Sequence, residues 1–310
     1  MRVVTQRSFG APEVLHVTEA PKPEPLPTEV LVRVHASGVN PVDAYVRAGA
    51  FPLLGEPPFV LGWDVSGVVE AVVPGVSRFA VGDEVYGMPF FPRAAGGYGE
   101  YVAAPSLQFA RKPKGLDHVQ AAALPLAGLT AWQGLVDAAK LTEGQRVLIH
   151  AGGGGVGHLA VQIAKARGAE VHTTASAAKR DFVRELGADH VLDYRTTDFA
   201  EELRDLDVVL DTIGNGYGER SLRTLRPGGV LVTIVQRADA ELAARTAAEG
   251  RRFAGVTVEP DHVGLEALTE LVESGRLQPY VEHVLPLEQA AKAHALIESG
   301  RTQGKIVLTV

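Results

Sequence analysis

Apolar positions change their rhythm twice along the chain. Through the first third, short β-branched runs ("EVLVRVHASGV", "FVLGWDVSGVVEAVV", "VGDEVYGM") are each closed by Gly, Pro or Asp, the pattern of strands in an antiparallel, barrel-like domain. From about Gln120 the spacing turns helical in "AAALPLAGLTAWQGLVDAAK", which leads into the buried-strand run "GQRVLIHA". Strand–helix alternation then continues to about Glu259, with strands expected at 146–150, 170–175, 190–194, 207–211, 229–235 and 252–258. Such alternation marks a doubly wound parallel sheet. Beyond "EPDHVG" a helix, a strand at "YVEHVLP", a second helix and the last strand "KIVLTV" return to β structure that can rejoin the first domain. The fold class is therefore α/β. The expected boundaries are 1–122 for a β-rich domain, 123–258 for the parallel-sheet domain and 259–310 for the returning segment.

The strand run "RVLIH" opens directly onto "AGGGGVG", in which Gly152, Gly154 and Gly157 satisfy G-x-G-x-x-G and Gly153, Gly155 and Val156 fill the gaps. A glycine run satisfies that pattern by chance, and its bland reading is a linker. A linker has no need of a buried strand before it or an amphipathic helix after it. Here Val156, Leu159, Ala160, Ile163 and Ala164 fall on one helical face, and "EVHTTA" completes a strand–helix–strand unit. Glycines at these places permit a tight turn, the approach of backbone amides to a pyrophosphate, and close packing of helix on strand. The anion would rest on the electropositive start of the helix. The loop is thus read as a dinucleotide site.

The residues at the end of the second strand select the dinucleotide. An NAD site places Asp or Glu there for the ribose 2′-hydroxyl. This chain has Thr174, Ala175 and Ser176, then Lys179 and Arg180. Tyr194 ends the third strand, which in a doubly wound sheet neighbours the second. Hydroxyls and cations attract a 2′-phosphate that a carboxylate would repel, so NADPH is expected. The competing reading is an exposed helix start carrying solvated charges.

Charge and composition narrow the partners. A net charge of −7 gives no bulk attraction to nucleic acid or to an anionic membrane. No apolar run approaches the roughly 18 residues of a membrane span, and the first residues lack the apolar core of a signal peptide; the expected location is the cytoplasm. With no cysteine, disulfides, thiolate metal sites and thiol nucleophiles are all excluded. The 10 histidines include no HExxH and no pair four apart on one helix, and most are expected to be solvated or locally hydrogen-bonded.

With these residues in hand, the sequence resembles the zinc-independent medium-chain dehydrogenase/reductases, specifically the NADPH:quinone oxidoreductase (zeta-crystallin-like) branch. The likeness runs in order through "FGAPEVLHV", "GVNPVDAYVRAGAFP", "FVLGWDVSGVV", "VGDEVYG", "GGYGEYVAAP", "AAALPLAGLTAW", "HAGGGGVGHLAVQIAKARGA", "LGADHVLDY" and "GKIVL". It implies a GroES-like substrate domain built from both ends of the chain, a Rossmann nucleotide-binding middle and a homodimer. It also implies Asn40 and Tyr45 beside the nicotinamide and the substrate, and Thr130 near the nicotinamide end. The glycine loop, Ser176, Lys179 and Tyr194 fall where such relatives hold NADPH. Ile213 and Thr233 end later strands and are expected along the cofactor; Phe253 is a looser assignment, and Arg180 is an additional cation without a clear match.

Zinc-dependent relatives in the wider superfamily carry a ligand cysteine where this chain has Asn40 and a His-Glu pair where it has Trp63-Asp64. No zinc is therefore expected. Hydride delivery to a simple ketone makes an alkoxide, which calls for a Lewis acid or a strong proton donor. Delivery to a quinone makes a phenolate-like anion, and a phenol ionises near pKa ~10, so one weak donor suffices. Enals and enones gain the same relief. The expected activity is metal-free reduction of a quinone by NADPH. The alternatives are an alkenal/enone reductase and, in another class, a non-catalytic NADPH-binding protein. Asn40 precedes a proline and could simply cap a helix, and Tyr45 could serve core packing or cleft lining. Enoyl-thioester relatives carry a tyrosine where this chain has Phe51, which argues against thioesters.

Overall fold

Alternating valines set the framework of the first unit. Its strands are β1 (Arg2–Gln6), β2 (His16–Glu19), β3 (Glu29–Val39), β4 (Phe59–Val60), β5 (Val65–Val72), β6 (Glu84–Gly87), β7 (Tyr101–Pro105) and β8 (Phe109–Arg111) in the computed structural model, which describes residues 1–310. On β3, Val30, Val32 and Val34 point into a core shared with Val65, Val69, Val85, Val102 and Phe109, as the period of two requires. Two helices enter this unit's edge: α1 (Pro41–Ala48) follows β3 directly, and α2 (His118–Ala122) packs Ala122 against Ala36 and Val307.

The helical run expected over 121–140 is broken. Pro125 has no amide hydrogen to continue α2, so α3 (Pro125–Trp132) starts afresh and then widens into a π-helical turn at Gln133–Ala138. Ala123 packs with Ala36 and Val307, and the Leu126 amide donates to Asp64 Oδ1 at 2.6 Å, so the first unit extends through Leu129 rather than ending at 122.

The second unit comprises residues 130–258 and 274–278. It contains β9 (Arg146–Ile149), β10 (Glu170–Ala175), β11 (His190–Asp193), β12 (Leu206–Asp211), β13 (Leu225–Thr233) and β14 (Arg252–Gly255), ordered β11-β10-β9-β12-β13-β14. Every neighbouring pair is parallel. This is the doubly wound Rossmann order: the chain leaves β9 toward β10 on one side and returns to β12 on the other, placing a topological switch at the carboxyl end of β9. The chain then re-enters the first unit with β15 (Val281–Pro286) and β16 (Lys305–Thr309), which extend its sheet as β15-β16-β3-β5-β6-β8, with β7 also on β3. The α/β class, with a GroES-like β-rich part and a Rossmann part, is the observed one. No helix is long and apolar enough to cross a membrane.

Candidate functional site

In the second unit, β9 ends in the glycine loop and α4 (Gly157–Ala166) starts from it. The loop is pinned from below. Gly152 N–H donates to Thr174 O at 3.0 Å and Ala151 N–H to Thr174 Oγ1 at 3.1 Å, while Thr173 Oγ1 donates to Ile149 O at 2.7 Å. The missing side chains are structural necessities. A Cβ on Gly152 would lie 2.0 Å from Thr173 Oγ1, and one on Gly157 would lie 2.1 Å from Ala151 O. Gly154 and Gly155 are half-buried. Of the first amides of α4, His158 N–H donates to Gly154 O at 3.0 Å and Ala160 N–H to Val156 O at 2.9 Å, while the opening amides of a helix in general lack acceptors within it. The turn therefore presents backbone donors and helix dipole to an anion. Beneath it His150 is fully buried, with Nδ1 3.2 Å from Thr174 Oγ1 and Nε2 3.0 Å from Ser221 Oγ. Burial, with the Arg220 charge nearby, pushes its pKa down to about 3, so this imidazole is a neutral core group.

Several expected cofactor residues meet at the carboxyl edge of the sheet. Ser176 directly follows β10, and Lys179 lies across the loop with Nζ 3.5 Å from Gly153 O and Cδ 2.7 Å from where a Gly153 Cβ would be. Tyr194 follows β11, its amide 3.4 Å from Ala175 O and its ring 46% exposed. No carboxylate stands at the end of β10. Thr233 is the last residue of β13, and Ile213 lies in the turn after β12, its amide donating to Asp211 Oδ1 at 2.9 Å. Thr130 is buried in α3.

Two residues do not join them. Phe253 is the second residue of β14, in register with Leu231 and packed on the core, so it sits below the edge. Arg180 begins the helix after Lys179 and lines a separate hollow with Arg184, His190 and Asp193.

In the first unit, Asn40 stands at the N-terminus of α1, yet its side chain makes no cap hydrogen bond. The cap is served by Asp43, whose Oδ2 accepts from the Asn40 amide at 2.7 Å. Asn40 Nδ2 instead donates to Asp64 Oδ2 at 2.8 Å, and its Oδ1 accepts from Lys305 Nζ. Lys305 also donates to Val39 O at 3.1 Å and Asp64 Oδ2 at 3.3 Å. Asp64 Oδ1 accepts from Leu126 N–H at 2.6 Å. All four side chains, Asn40, Asp43, Asp64 and Lys305, are buried. Burial raises Asp43 to about 7, and it raises Asp64 against the opposing pull of Lys305. Tyr45, on the next turn of α1, is 58% exposed, so core packing is not its role.

Sequence reading missed this cluster because its members come from distant parts of the chain. The only signals were an acid after Trp63 and a lysine opening an otherwise apolar strand. It also missed Glu170, His172 and His190, whose ligand atoms lie within 4.8 Å of one another. The two histidines are cross-strand partners on β10 and β11 rather than neighbours on a helix.

Known proteins show the same architecture. Residues 26–114 match the family model described as "Alcohol dehydrogenase GroES-like domain", and 186–308 match "Zinc-binding dehydrogenase". The quinone oxidoreductase of Pongo abelii is 34% identical over 326 residues, covering 99% of this chain and 97% of that protein. The chain belongs to the quinone oxidoreductase family of medium-chain dehydrogenase/reductases. Solved relatives agree. The Coxiella burnetii quinone oxidoreductase superposes with TM-score 0.95 at 35% identity over 100% of this chain and 99% of that one. The Escherichia coli quinone oxidoreductase complexed with NADPH gives 0.90 at 29% over 100% of both chains. The polyketide synthase GfsB of Streptomyces halstedii is 40% identical over 290 residues, 91% of this chain, which spans only 5% of that protein's length.

The zinc in one family description does not fit the donors at Asn40 and Asp64. At Asn40 and Asp64 the oxygen lone pairs are already turned to the Lys305 ammonium. At the other cluster the His172 and His190 rings stack at 4.4 Å with planes 16° apart. Both ring nitrogens face one atom, Glu170 Oε1, 2.9 Å from His172 Nε2 and 3.2 Å from His190 Nε2. Glu170 is also shared with Arg146, Nε to Oε2 3.7 Å.

Proposed function

We propose that this protein reduces quinones with NADPH, without a metal. The observation that carries the cofactor half is the end of β10: Lys179 reaches over Gly153, Ser176 is half-buried, and no acid is present to claim a ribose 2′-hydroxyl. The NADPH complex of the Escherichia coli relative supports it. The glycine turn would hold the pyrophosphate, and Ser176, Lys179 and Tyr194 the 2′-phosphate. Bound NADPH supplies the hydride.

Membership of the quinone oxidoreductase family supports the acceptor. One Asn40 amide proton is committed to Asp64, and the other is available for the oxygen on which negative charge develops. Tyr45 offers an exposed phenol to the same acceptor. Because a hydroquinone anion is far less basic than an alkoxide, these neutral donors suffice, and orientation supplies much of the rate. The reading includes a cytoplasmic homodimer, testable by sedimentation and fractionation.

A second reading, reduction of enals or enones, is supported by the likeness to the solved CurK enoyl reductase, TM-score 0.89 at 30% identity over 99% of this chain and 98% of that one. One panel separates the two: oxidation of NADPH and NADH with benzoquinone, naphthoquinone, 2-alkenals and crotonyl-CoA. Turnover of the quinones with NADPH preferred is expected. Turnover of only the alkenals or crotonyl-CoA would overturn the quinone assignment.

A further inference from the structure

The buried cation of the first unit has a place in the reaction. We infer that Lys305 is a positioning residue that, together with Asp64, locks the Asn40 carboxamide in the one orientation that leaves an N–H for the acceptor. The inference rests on the donor role proposed above for Asn40.

A primary amide has two nearly isosteric ends, and a half-turn about its last bond exchanges oxygen for nitrogen. Here the two ends face opposite charges. Oδ1 meets the Lys305 ammonium, which has only protons to give, and Nδ2 meets the Asp64 carboxylate, which has only lone pairs. Rotation would set NH2 against the ammonium and C=O against the carboxylate, two repulsive contacts away from solvent, where such contacts are costly. The amide is therefore held one way round.

The lock is itself fixed. Lys305 has three protons and three acceptors, Val39 O, Asn40 Oδ1 and Asp64 Oδ2, and Asp64 Oδ1 is anchored by the Leu126 amide. After these bonds the one uncommitted proton on the Asn40 side chain belongs to Nδ2. Without the ion pair the same amide could turn its oxygen to the place where the acceptor's anion forms, and would then repel it. A single-point cation with three donors on a stiff β16 backbone thus does here what fixed coordination does elsewhere: it aims another group.

The test uses purified full-length protein and naphthoquinone with NADPH. Because Lys305→Met alone strands a buried carboxylate, the main variant is the neutral pair Lys305→Met/Asp64→Asn, with Lys305→Met beside it where it folds. Both are compared with Asn40→Ala and with the triple combination, after melting curves show folded protein. Loss of an oriented oxyanion donor lowers kcat by about 100-fold, and this is expected of Asn40→Ala. The neutral pair should lower kcat by about 10-fold or more, with NADPH dissociation within about 3-fold of the parent. Added to Asn40→Ala it should lower kcat no further, because the pair acts only through that amide. A neutral pair at full rate with Asn40→Ala slow would overturn the role of Lys305 and leave that of Asn40 standing. A further loss of the same factor in the Asn40→Ala background would show that the pair acts independently, and would also overturn it. Full activity of Asn40→Ala would remove the donor role, and the inference with it.

Discussion

The candidate cofactor and acceptor sites are built on opposite principles. In the second unit the proposed pyrophosphate turn is made of backbone: at Gly152 and Gly157 a side chain would clash with the loop itself. In the first unit the candidate site is made of side chains: Asn40, Asp64 and Lys305 are brought together from three places, Asp64 and Lys305 lying 241 positions apart. A backbone turn is intolerant of side chains wherever its glycines meet backbone, and its amides carry no titratable group. A side-chain cluster tolerates conservative exchange, yet depends on every charge being in its expected state.

The largest test of this contrast is steric. Gly157→Val would drive a branched side chain into Ala151 O, already 2.1 Å from a bare Cβ, with backbone on both sides and no flexible group to yield. NADPH affinity should fall by more than ~100-fold, since loop and helix start must move apart. Gly154→Ala, whose Cβ would stand 3.2 Å from the same oxygen, should cost only a few-fold. Fluorescence titration measures both. Equal losses would mean that the loop is not a close-fitting cradle.

Legibility in the sequence divides the same way. The glycine turn can be read because strand, turn and helix are contiguous and each imposes its own period. Ser176, Lys179 and Tyr194 can be read because parallel pairing brings successive carboxyl ends to one edge. Phe253 cannot, because only register, its pairing with Leu231, shows it to lie below that edge. Lys305 stands in plain view within "GKIVL", but no local pattern links a strand near one terminus to an amide near the other. The break at Pro125 is visible as a residue, whereas the bond from the Leu126 amide to Asp64 that carries the boundary onward is not.

Acid and base should tilt the two units in opposite senses. His150, beneath the glycine loop, has a folded pKa near 3 against an ordinary 6.5, so the unfolded chain binds the extra proton. Its contribution to stability is whole above pH 6.5 and is lost as the pH falls toward 3. Asp43, beside Asn40, is raised to about 7 from 3.8, so the folded chain holds the proton. Its contribution is whole below pH 4 and is lost as the pH rises to 7. At about 1.4 kcal/mol per pKa unit, each effect is on the order of 2 kcal/mol or more. His150→Gln should therefore flatten the acid limb of a urea-midpoint profile between pH 4.5 and 8, and Asp43→Asn should flatten the decline toward neutral pH. Two variants shifting the profile in the same direction would contradict both burials.

Next in size is the choice of dinucleotide. Lys179→Ala removes a charge-assisted contact worth about 1.5–3 kcal/mol when its partner is a phosphate. NADPH should weaken by roughly 10–100-fold while NADH changes little. Arg180→Ala, on the helix but lining a different hollow, should leave both nearly unaltered. Calorimetric titration of both dinucleotides distinguishes the residues, and equal losses with NADPH and NADH would show that Lys179 does not read the additional phosphate.

The smallest effect belongs to Tyr45, and it decides how far the side-chain principle extends. At 58% exposure its phenol is not held by burial as Asn40 is, and a mobile donor loses to water much of what a fixed one gives. Tyr45→Phe should therefore lower kcat/KM for naphthoquinone by only about 3-fold, well under ~1 kcal/mol, and leave the melting temperature in place. A loss near 100-fold would mean that the acceptor excludes water from this face of α1 and that the phenol, not the amide, carries most of the developing charge. Lys305 would then be aiming the lesser of two donors. The ranking of Tyr45→Phe against Asn40→Ala, measured on one acceptor at one pH, thus tells whether the first unit works through its buried charges or despite them.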